Sequence, residues 1–181
     1  MPEKLSLIIR KEKPADYEAV ESLIQQAFAL AEHRDGNEHR LVKNLRNSNA
    51  FLPKLSMIAE HNERIVGHIL LTKVQIKNGD EAFDSLALAP VSVLPEFQNR
   101  GVGGKLIEAA HHQAKTMGFT SVVILGHEGY YPKFGYKPAH TFGISFPFEA
   151  PPKNCMAIEL APNSLANVSG EIIYPDIFFE N

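Results

Sequence analysis

Residues 98–104 read Gln-Asn-Arg-Gly-Val-Gly-Gly and form a glycine-rich loop between a strand-like apolar run, residues 86–94, and a helix-like segment, residues 101–117. Glycine lets the backbone approach an anion closely, and the first turn of a helix has N–H groups without an internal partner. Those N–H groups and the helix dipole together favour a bound phosphate. The loop therefore predicts a phosphate cradle at a strand-to-helix turn.

Two common nucleotide-binding motifs do not match this loop. The dinucleotide fingerprint G-x-G-x-x-G opens directly after a strand, whereas here residues 95–100 separate the strand from the first glycine. The P-loop signature requires Ser or Thr after Gly-Lys as a magnesium ligand, and here Leu106 follows Gly104 and Lys105. The glycine spacing alone therefore leaves the phosphate compound unspecified.

The rest of the chain alternates between helical and strand-like patterns. Pro14 opens a helix whose apolar positions recur at helical spacing up to Ala31, and residues 38–46 predict a shorter helix. Strands are predicted at residues 5–10, 55–60, 64–76, 83–94, 121–125, near 136–146, 156–160 and 171–174. Pro90 removes a ladder donor, so the strand that contains it is expected to bulge or bend there. No linker separates two cores, and we expect one mixed α/β (α+β) domain.

Composition excludes several classes of function. The 181 residues carry a net charge of −3, so neither nucleic acid nor an anionic membrane is an expected partner. No run approaches the roughly 20 apolar residues of a membrane span, and the N-terminus lacks the apolar core of a signal peptide. The single cysteine, Cys155, rules out an intramolecular disulfide and fits a reducing compartment, so we expect a cytoplasmic protein.

The order of strand, residues 95–100, glycines and helix closely resembles motif A of the GNAT superfamily of N-acyltransferases. That motif reads Gln/Arg-x-x-Gly-x-Gly/Ala, and it is matched here by Gln98 or Arg100, then Gly101 and the Gly103-Gly104 pair. Residues 131–136, Tyr-Pro-Lys-Phe-Gly-Tyr, look like the late Tyr-x-x-x-Gly-Phe/Tyr element of the superfamily. Residues 125–131 are similar to the YhbS-like branch of predicted acetyltransferases.

The resemblance covers roughly residues 5–160 and implies a single GNAT domain over that range. Its fold would be a mixed, mostly antiparallel central sheet flanked by helices and splayed between the fourth and fifth strands. Residues 161–181 form a C-terminal extension whose tail, with Ile172, Ile173, Tyr174, Ile177, Phe178 and Phe179, is too apolar for a disordered end. We expect this C-terminal extension to pack on the domain or at a subunit interface of a possible homodimer.

The resemblance also implies that acetyl-CoA is the acyl donor and co-substrate. Its pyrophosphate would lie on the N–H groups of the glycine-rich loop, with Arg100 adding a charge-assisted contact at the rim. Its pantetheine arm would pair like an extra strand with residues 91–93. The implied cofactor-binding residues are Val91, Ser92, Val93, Gln98, Asn99, Arg100, Gly101, Val102, Gly103 and Gly104.

Direct acetyl transfer in a ternary complex needs a deprotonated amine, a donor for the tetrahedral oxyanion and a proton for the departing thiolate. In the superfamily a backbone N–H, here near Val93, is the usual oxyanion donor. Tyr131 matches the superfamily tyrosine and is the candidate general acid, since a phenol with a pKa near ~10 is protonated at neutral pH. The pattern departs upstream, where Ile124 and His127 replace the Asn and Ala that are frequent in the superfamily.

The general base and the acceptor side have several candidates. His127 and Glu128 lie at the end of a predicted strand near the expected acyl site, and either residue accepts a proton directly or through water, or the two form a solvated loop pair. Glu32, Asp35 and Glu38 cluster in the loop expected to cover the acceptor side. They either attract a cationic amine or form a solvated connection.

No metal and no covalent enzyme intermediate is expected. His111 and His112 are adjacent on a helix and therefore point about 100° apart, which is unsuitable for a shared metal. His33 and His39 flank Asp35, but no further ligand completes a site. Cys155 begins a late strand remote in sequence from the loop, and no neighbouring basic pair activates it, so it is interpreted as structural.

These patterns together predict an N-acetyltransferase that uses acetyl-CoA and a primary amine on a small molecule or protein. Within enzymes, another acyl donor or a hydroxyl acceptor is the alternative. A catalytically idle acyl-CoA sensor or interaction domain of the same fold is the alternative from a different class.

Overall fold

The computed structural model describes residues 4–29 and 36–180. Within these ranges the three α-helices are α1 Tyr17–Phe28, α2 Glu38–Arg46 and α3 Val102–Thr116. The nine strands in the same ranges are β1 Ile8–Lys11, β2 Ser56–His61, β3 Arg64–Asn78, β4 Glu81–Val93, β5 Ser121–Leu125, β6 Lys137–Pro138, β7 Ile144–Ser145, β8 Cys155–Glu159 and β9 Gly170–Ile173. None of the helices in this described part is long and apolar enough to cross a membrane.

The strands form one sheet in the order β1-β2-β3-β4-β5-β8-β6, while β9 pairs with β3 and β7. Neighbours in that path are antiparallel except β4 and β5, which are parallel, and β7 also runs parallel to β9. The expectation of a mixed, mostly antiparallel sheet is therefore confirmed.

A bulge interrupts β4 at the predicted position. Ile69 of β3 pairs with Val91, and Leu71 pairs with Leu88, so β4 has one residue more than β3 between these two pairs. Pro90 lies in this segment, where its missing N–H takes nothing from the ladder. The last three residues of β4 thus follow their own register against β3.

The sheet opens between β4 and β5, as predicted. The two strands pair only at Leu86 with Val122 and at Ala87 with Val123. Beyond these pairs β4 continues to Val93, along a path that β5 does not follow. A gap therefore opens on the β5 side of the post-bulge segment of β4.

Alternation along the strands divides the post-bulge residues between the two faces of the sheet. A Cβ at Gly67 would lie 2.9 Å from side-chain atoms of both Leu106 and Val102, so this position faces α3 and lets that helix approach closely. Its cross-strand partner Val93 faces the same way. His68 and its partner Ser92 point to the opposite face, where the α1–α2 side of the domain packs.

The C-terminal extension adds a strand to the sheet. β9 pairs with the far end of β3, and its Ile172 is fully buried. The segment Asp176–Phe179 then forms a 3-10 turn whose neighbour Glu180 lines a small cavity together with residues of α2. The sequence between Tyr136 and Phe146 forms two short strands around a 3-10 turn rather than long strands, since Pro138 lacks the N–H that would continue the ladder.

Candidate functional site

The post-bulge segment of β4 presents an unpaired backbone edge to the gap. The N–H of Leu94 donates to the carbonyl of Val66 at 2.9 Å, so Leu94 faces β3. Because peptide groups alternate along an antiparallel strand, the N–H of Ser92 also points toward β3, while the N–H groups of Val91 and Val93 point away from it. No described strand pairs with that side of the segment. The edge is available to a ligand with amide groups of its own.

The glycine-rich loop carries the chain from this edge to α3. Asn99 and Gly101 have positive φ angles of 61° and 84°, and this left-handed geometry turns the chain into the helix. Gly101 is the N-cap and has no side chain to occupy the first N–H groups of α3. The side chain of Gln98 is held against the end of β4, since its Nε2 donates to the carbonyl of Val93 at 3.0 Å. The loop therefore leaves the helix N-terminus open.

The unpaired edge of β4 and the N-terminus of α3 line the same cleft, which has a volume of about 650 Å³. Its lining residues are Val91, Val93, Phe97, Gln98, Asn99, Gly101, Val102, Gly103, Gly104, Tyr130, Lys133 and Phe134. Most of the predicted cofactor-binding residues are thus brought together here. Ser92 does not line the cleft, because its side chain points to the other face of the sheet. Arg100 lies outside the lining, with its guanidinium 5.7 Å from the centroid of the Phe97 ring.

The residues after β5 form a wall of the cleft that the sequence interpretation missed. A Cβ on Gly103 would lie 3.0 Å from the hydroxyl of Tyr130, and one on Gly104 would lie 3.4 Å from the Phe134 ring. The ammonium of Lys133 sits 4.2 Å from the centroid of the Tyr130 ring. The motif at 131–136 marked this segment, but its spacing does not say which side chains face the glycines.

Tyr131 is buried beside this wall, with 8% of its surface exposed. A Cβ on Gly126 would overlap the Tyr131 ring, so only glycine leaves room for the phenol there. The ring also packs edge-on against Tyr130 and Tyr136. Burial, and then the nearby Tyr130, raises the pKa of Tyr131 well above its usual range. The phenol therefore stays protonated at neutral pH, but the same shift makes it a weaker acid than a free tyrosine. Tyr131 is not among the residues that line the cleft.

His127 and Glu128 are exposed and already have partners. The Nδ1 atom of His127 accepts a hydrogen bond from the N–H of Gly129 at 3.0 Å, which caps the turn. The carboxylate of Glu128 lies 3.0 Å from the ammonium of Lys153. Neither side chain is part of the cleft lining, so their role as base stays a prediction.

The other candidate residues are distributed around the domain. Glu32, His33 and Asp35 lie outside the described residues, and Glu38 is in the first turn of α2.

His111 bonds the hydroxyl of Tyr136 at 2.7 Å, and burial lowers its pKa to about 4. Residues 4–29 and 36–180 contain no group of three His, Cys, Asp or Glu side chains placed to hold a metal ion. Burial raises the pKa of Cys155, which disfavours a reactive thiolate.

The splayed sheet, with a glycine-started helix beside the gap, defines a GNAT-type acyltransferase fold. The chain belongs to the GNAT acetyltransferase family, since residues 8–139 match the family model described as "Acetyltransferase (GNAT) domain". It is 34% identical over 145 residues to the uncharacterized N-acetyltransferase YjhQ of Escherichia coli K12, covering 80% of this chain and 76% of YjhQ. It is 24% identical over 173 residues to the uncharacterized N-acetyltransferase YhbS of the same organism, covering 95% and 98%.

Solved structures show the same fold with ligands. The GNAT N-acetyltransferase YhbS from Escherichia coli in complex with CoA superimposes with a TM-score of 0.88 at 22% identity, covering 99% of this chain and 96% of that one. A GNAT acetyltransferase from Brucella melitensis in complex with acetyl-CoA gives a TM-score of 0.78 at 31% identity, covering 96% and 98%.

Proposed function

We propose that this protein transfers the acetyl group of acetyl-CoA to a primary amine by direct attack in a ternary complex. The observation that carries the proposal is the continuous cleft between the free edge of β4 and the open N-terminus of α3. An extended amide chain that ends in a pyrophosphate matches both parts of this cleft. The CoA and acetyl-CoA complexes of the two structural relatives support the same donor.

In this proposal the pyrophosphate lies on the N–H groups of Val102, Gly103 and Gly104. Backbone donors and the helix dipole stabilise it there, and Lys133 adds a positive charge from the opposite wall. The pantetheine amides pair with the outward-facing backbone groups of Val91, which leaves the N–H of Val93 for the reacting carbonyl. Arg100 is assigned to the rim of the loop rather than to the floor of the cleft.

The chemistry follows from the groups beside the gap. The amine lone pair attacks the thioester carbonyl, and the outward N–H of Val93 donates to the developing oxyanion. Tyr131 then gives its proton to the departing CoA thiolate. His127 and Glu128 remain the predicted acceptors of the amine proton, acting through water, because both are exposed and already bonded elsewhere.

A panel of primary amines, assayed with acetyl-CoA by release of free thiol, tests the reaction itself. We expect thiol release with at least one amine and none without an acceptor. The control is calorimetric titration of the same protein with CoA. CoA binding without turnover on any amine would contradict the enzyme and favour the acyl-CoA sensor, and absence of CoA binding would contradict both.

Tyr131→Phe tests the general acid. Turnover at saturating acetyl-CoA is expected to fall about 100-fold, since general acid catalysis typically contributes that much or more. CoA affinity should stay close to that of the parent, because the change removes only one oxygen. Tyr174→Phe is the matched control, as Tyr174 has the same 8% exposure but packs in the other core cluster. Equal turnover of Tyr131→Phe and the parent would exclude Tyr131 as the acid.

A further inference from the structure

A chain of buried, hydrogen-bonded polar side chains lies on the face of the sheet opposite α3. It adjoins the donor edge, which is the unpaired edge of residues 91–93 that is proposed to bind the acyl donor. The hydroxyl of Ser56 donates to Oε1 of Glu12 at 2.8 Å, and Nε2 of His68 lies 2.9 Å from the same hydroxyl oxygen. Ser56 and His68 are fully buried, and Glu12 is 5% exposed. None of these three residues lines the cleft, so the chemistry proposed above does not use them.

The hydrogen bonds fix the tautomer of His68. Ser56 has a single hydroxyl hydrogen, and Glu12 takes it, so the Ser56 oxygen accepts from His68. Nε2 of His68 therefore carries the hydrogen, and Nδ1 presents a lone pair. Burial, and then the positive charge of Arg46, lowers the pKa of His68 to about 3, so the ring is neutral. Nδ1 is an acceptor that needs a donor.

The residue opposite His68 supplies the matching donor. Ser92 pairs directly with His68 across β3 and β4 and is 2% exposed. Among the described residues neither the Ser92 hydroxyl nor Nδ1 of His68 has a hydrogen-bond partner. Directly opposed side chains on one face of a sheet lie close together. Two complementary orphaned groups are thus buried side by side.

Ser92 occupies the middle of the donor edge. Val91 and Val93 on either side of it carry the outward backbone groups, and the bulge separates all three from the upstream part of β4. The β5 ladder ends before this segment, so β3 is its only described strand partner. A side-chain link from Ser92 to β3 would therefore fix how the edge faces the cleft.

We propose that His68 is a positioning residue for the acyl donor, with Nδ1 accepting a hydrogen bond from Ser92. The bond forms directly after rotation of the Ser92 side chain or through one enclosed water molecule. It extends the chain from Glu12 through Ser56 and His68 to the strand that binds the donor. This inference rests on the proposed binding of CoA at the edge of β4.

Ser92→Ala tests the link, and Ser85→Ala is its matched control. Ser85 lies on the same strand, is also buried, and bonds Ser121 at 2.7 Å away from the donor edge. CoA binding by calorimetry should weaken in Ser92→Ala by up to about tenfold, the limit set by the free energy of one hydrogen bond, whereas Ser85→Ala should bind as the parent does. Parent-like affinity of Ser92→Ala would overturn the inference while leaving the proposed function intact. Failure of the parent to bind CoA would instead contradict the proposed function.

Nitrogen NMR of His68 gives a readout that works on the parent protein alone. We expect the Nε2–H tautomer with the Nδ1 resonance shifted upfield, as for a ring nitrogen that accepts a hydrogen bond. Ser92→Ala should move that resonance downfield, and Ser92→Thr, which keeps the hydroxyl, should restore it. An unbonded Nδ1 signal in the CoA-bound parent would overturn the inference even if no variant folds.

Discussion

Gly103→Val is expected to abolish CoA binding. A Cβ at this position would lie 3.0 Å from the Tyr130 hydroxyl and 3.8 Å from a methyl group of Val93, and all three residues line the cleft. The valine methyl groups would then hold the pyrophosphate away from the N–H groups of the loop. Loss of two charge-assisted hydrogen bonds corresponds to about a hundredfold weaker affinity or more, measured by calorimetry.

The same position offers a rescue that separates crowding from misfolding. Valine is favoured over glycine within a helix, which offsets part of the cost of displacing the Tyr130 hydroxyl, and the melting temperature shows whether the variant stays folded. Gly103→Ala alone meets only the Tyr130 hydroxyl closely, and the double variant with Tyr130→Phe removes that atom. The double variant should therefore bind CoA better than Gly103→Ala. Parent-like affinity of folded Gly103→Val would place the donor elsewhere on the protein.

The parts of the site that the sequence predicted are those with local causes. The bulge at Pro90 follows from the chemistry of one residue, so the sequence predicts it, whereas the positive φ of Gly101 is seen only in the structure. The start of α3 follows from a change of hydrophobic period at the glycines. These features placed the donor edge and the helix N-terminus next to each other along the chain.

The opposite wall of the cleft could not be predicted in the same way. Tyr130 and Tyr131 are adjacent in sequence, yet Tyr130 faces Gly103 while Tyr131 packs into the space left by Gly126. Which phenol lines the cleft is decided by the turn after β5, not by spacing in the motif. The Glu12–Ser56–His68 chain joins three separate segments, and its residues carry no local signal of burial.

That buried chain is anchored by an ion pair with consequences for folding. Nη2 of Arg46 lies 2.7 Å from Oε2 of Glu12, and the two side chains are 4% and 1% exposed. Arg46 also bonds Glu21 at 3.2 Å and stacks on the Tyr17 ring at 3.9 Å from its centroid. The guanidinium thereby joins α2 to α1 and to the residue after β1, and it compensates a carboxylate that water does not reach.

Arg46→Met is expected to lower the free energy of unfolding by about 3–5 kcal/mol, because it leaves the carboxylate of Glu12 buried without its cation. Urea denaturation measures the change, and Arg64→Met is the control. Arg64 also pairs with a glutamate at 2.7 Å, but both side chains are about half exposed, so its loss should leave the free energy of unfolding nearly unchanged. The double variant Glu12→Gln with Arg46→Met should regain part of the loss, since no uncompensated charge remains buried. Equal destabilisation by Arg46→Met and Arg64→Met would show that Glu12 is solvated in the native protein, which would also remove the charged end of the chain that leads to His68.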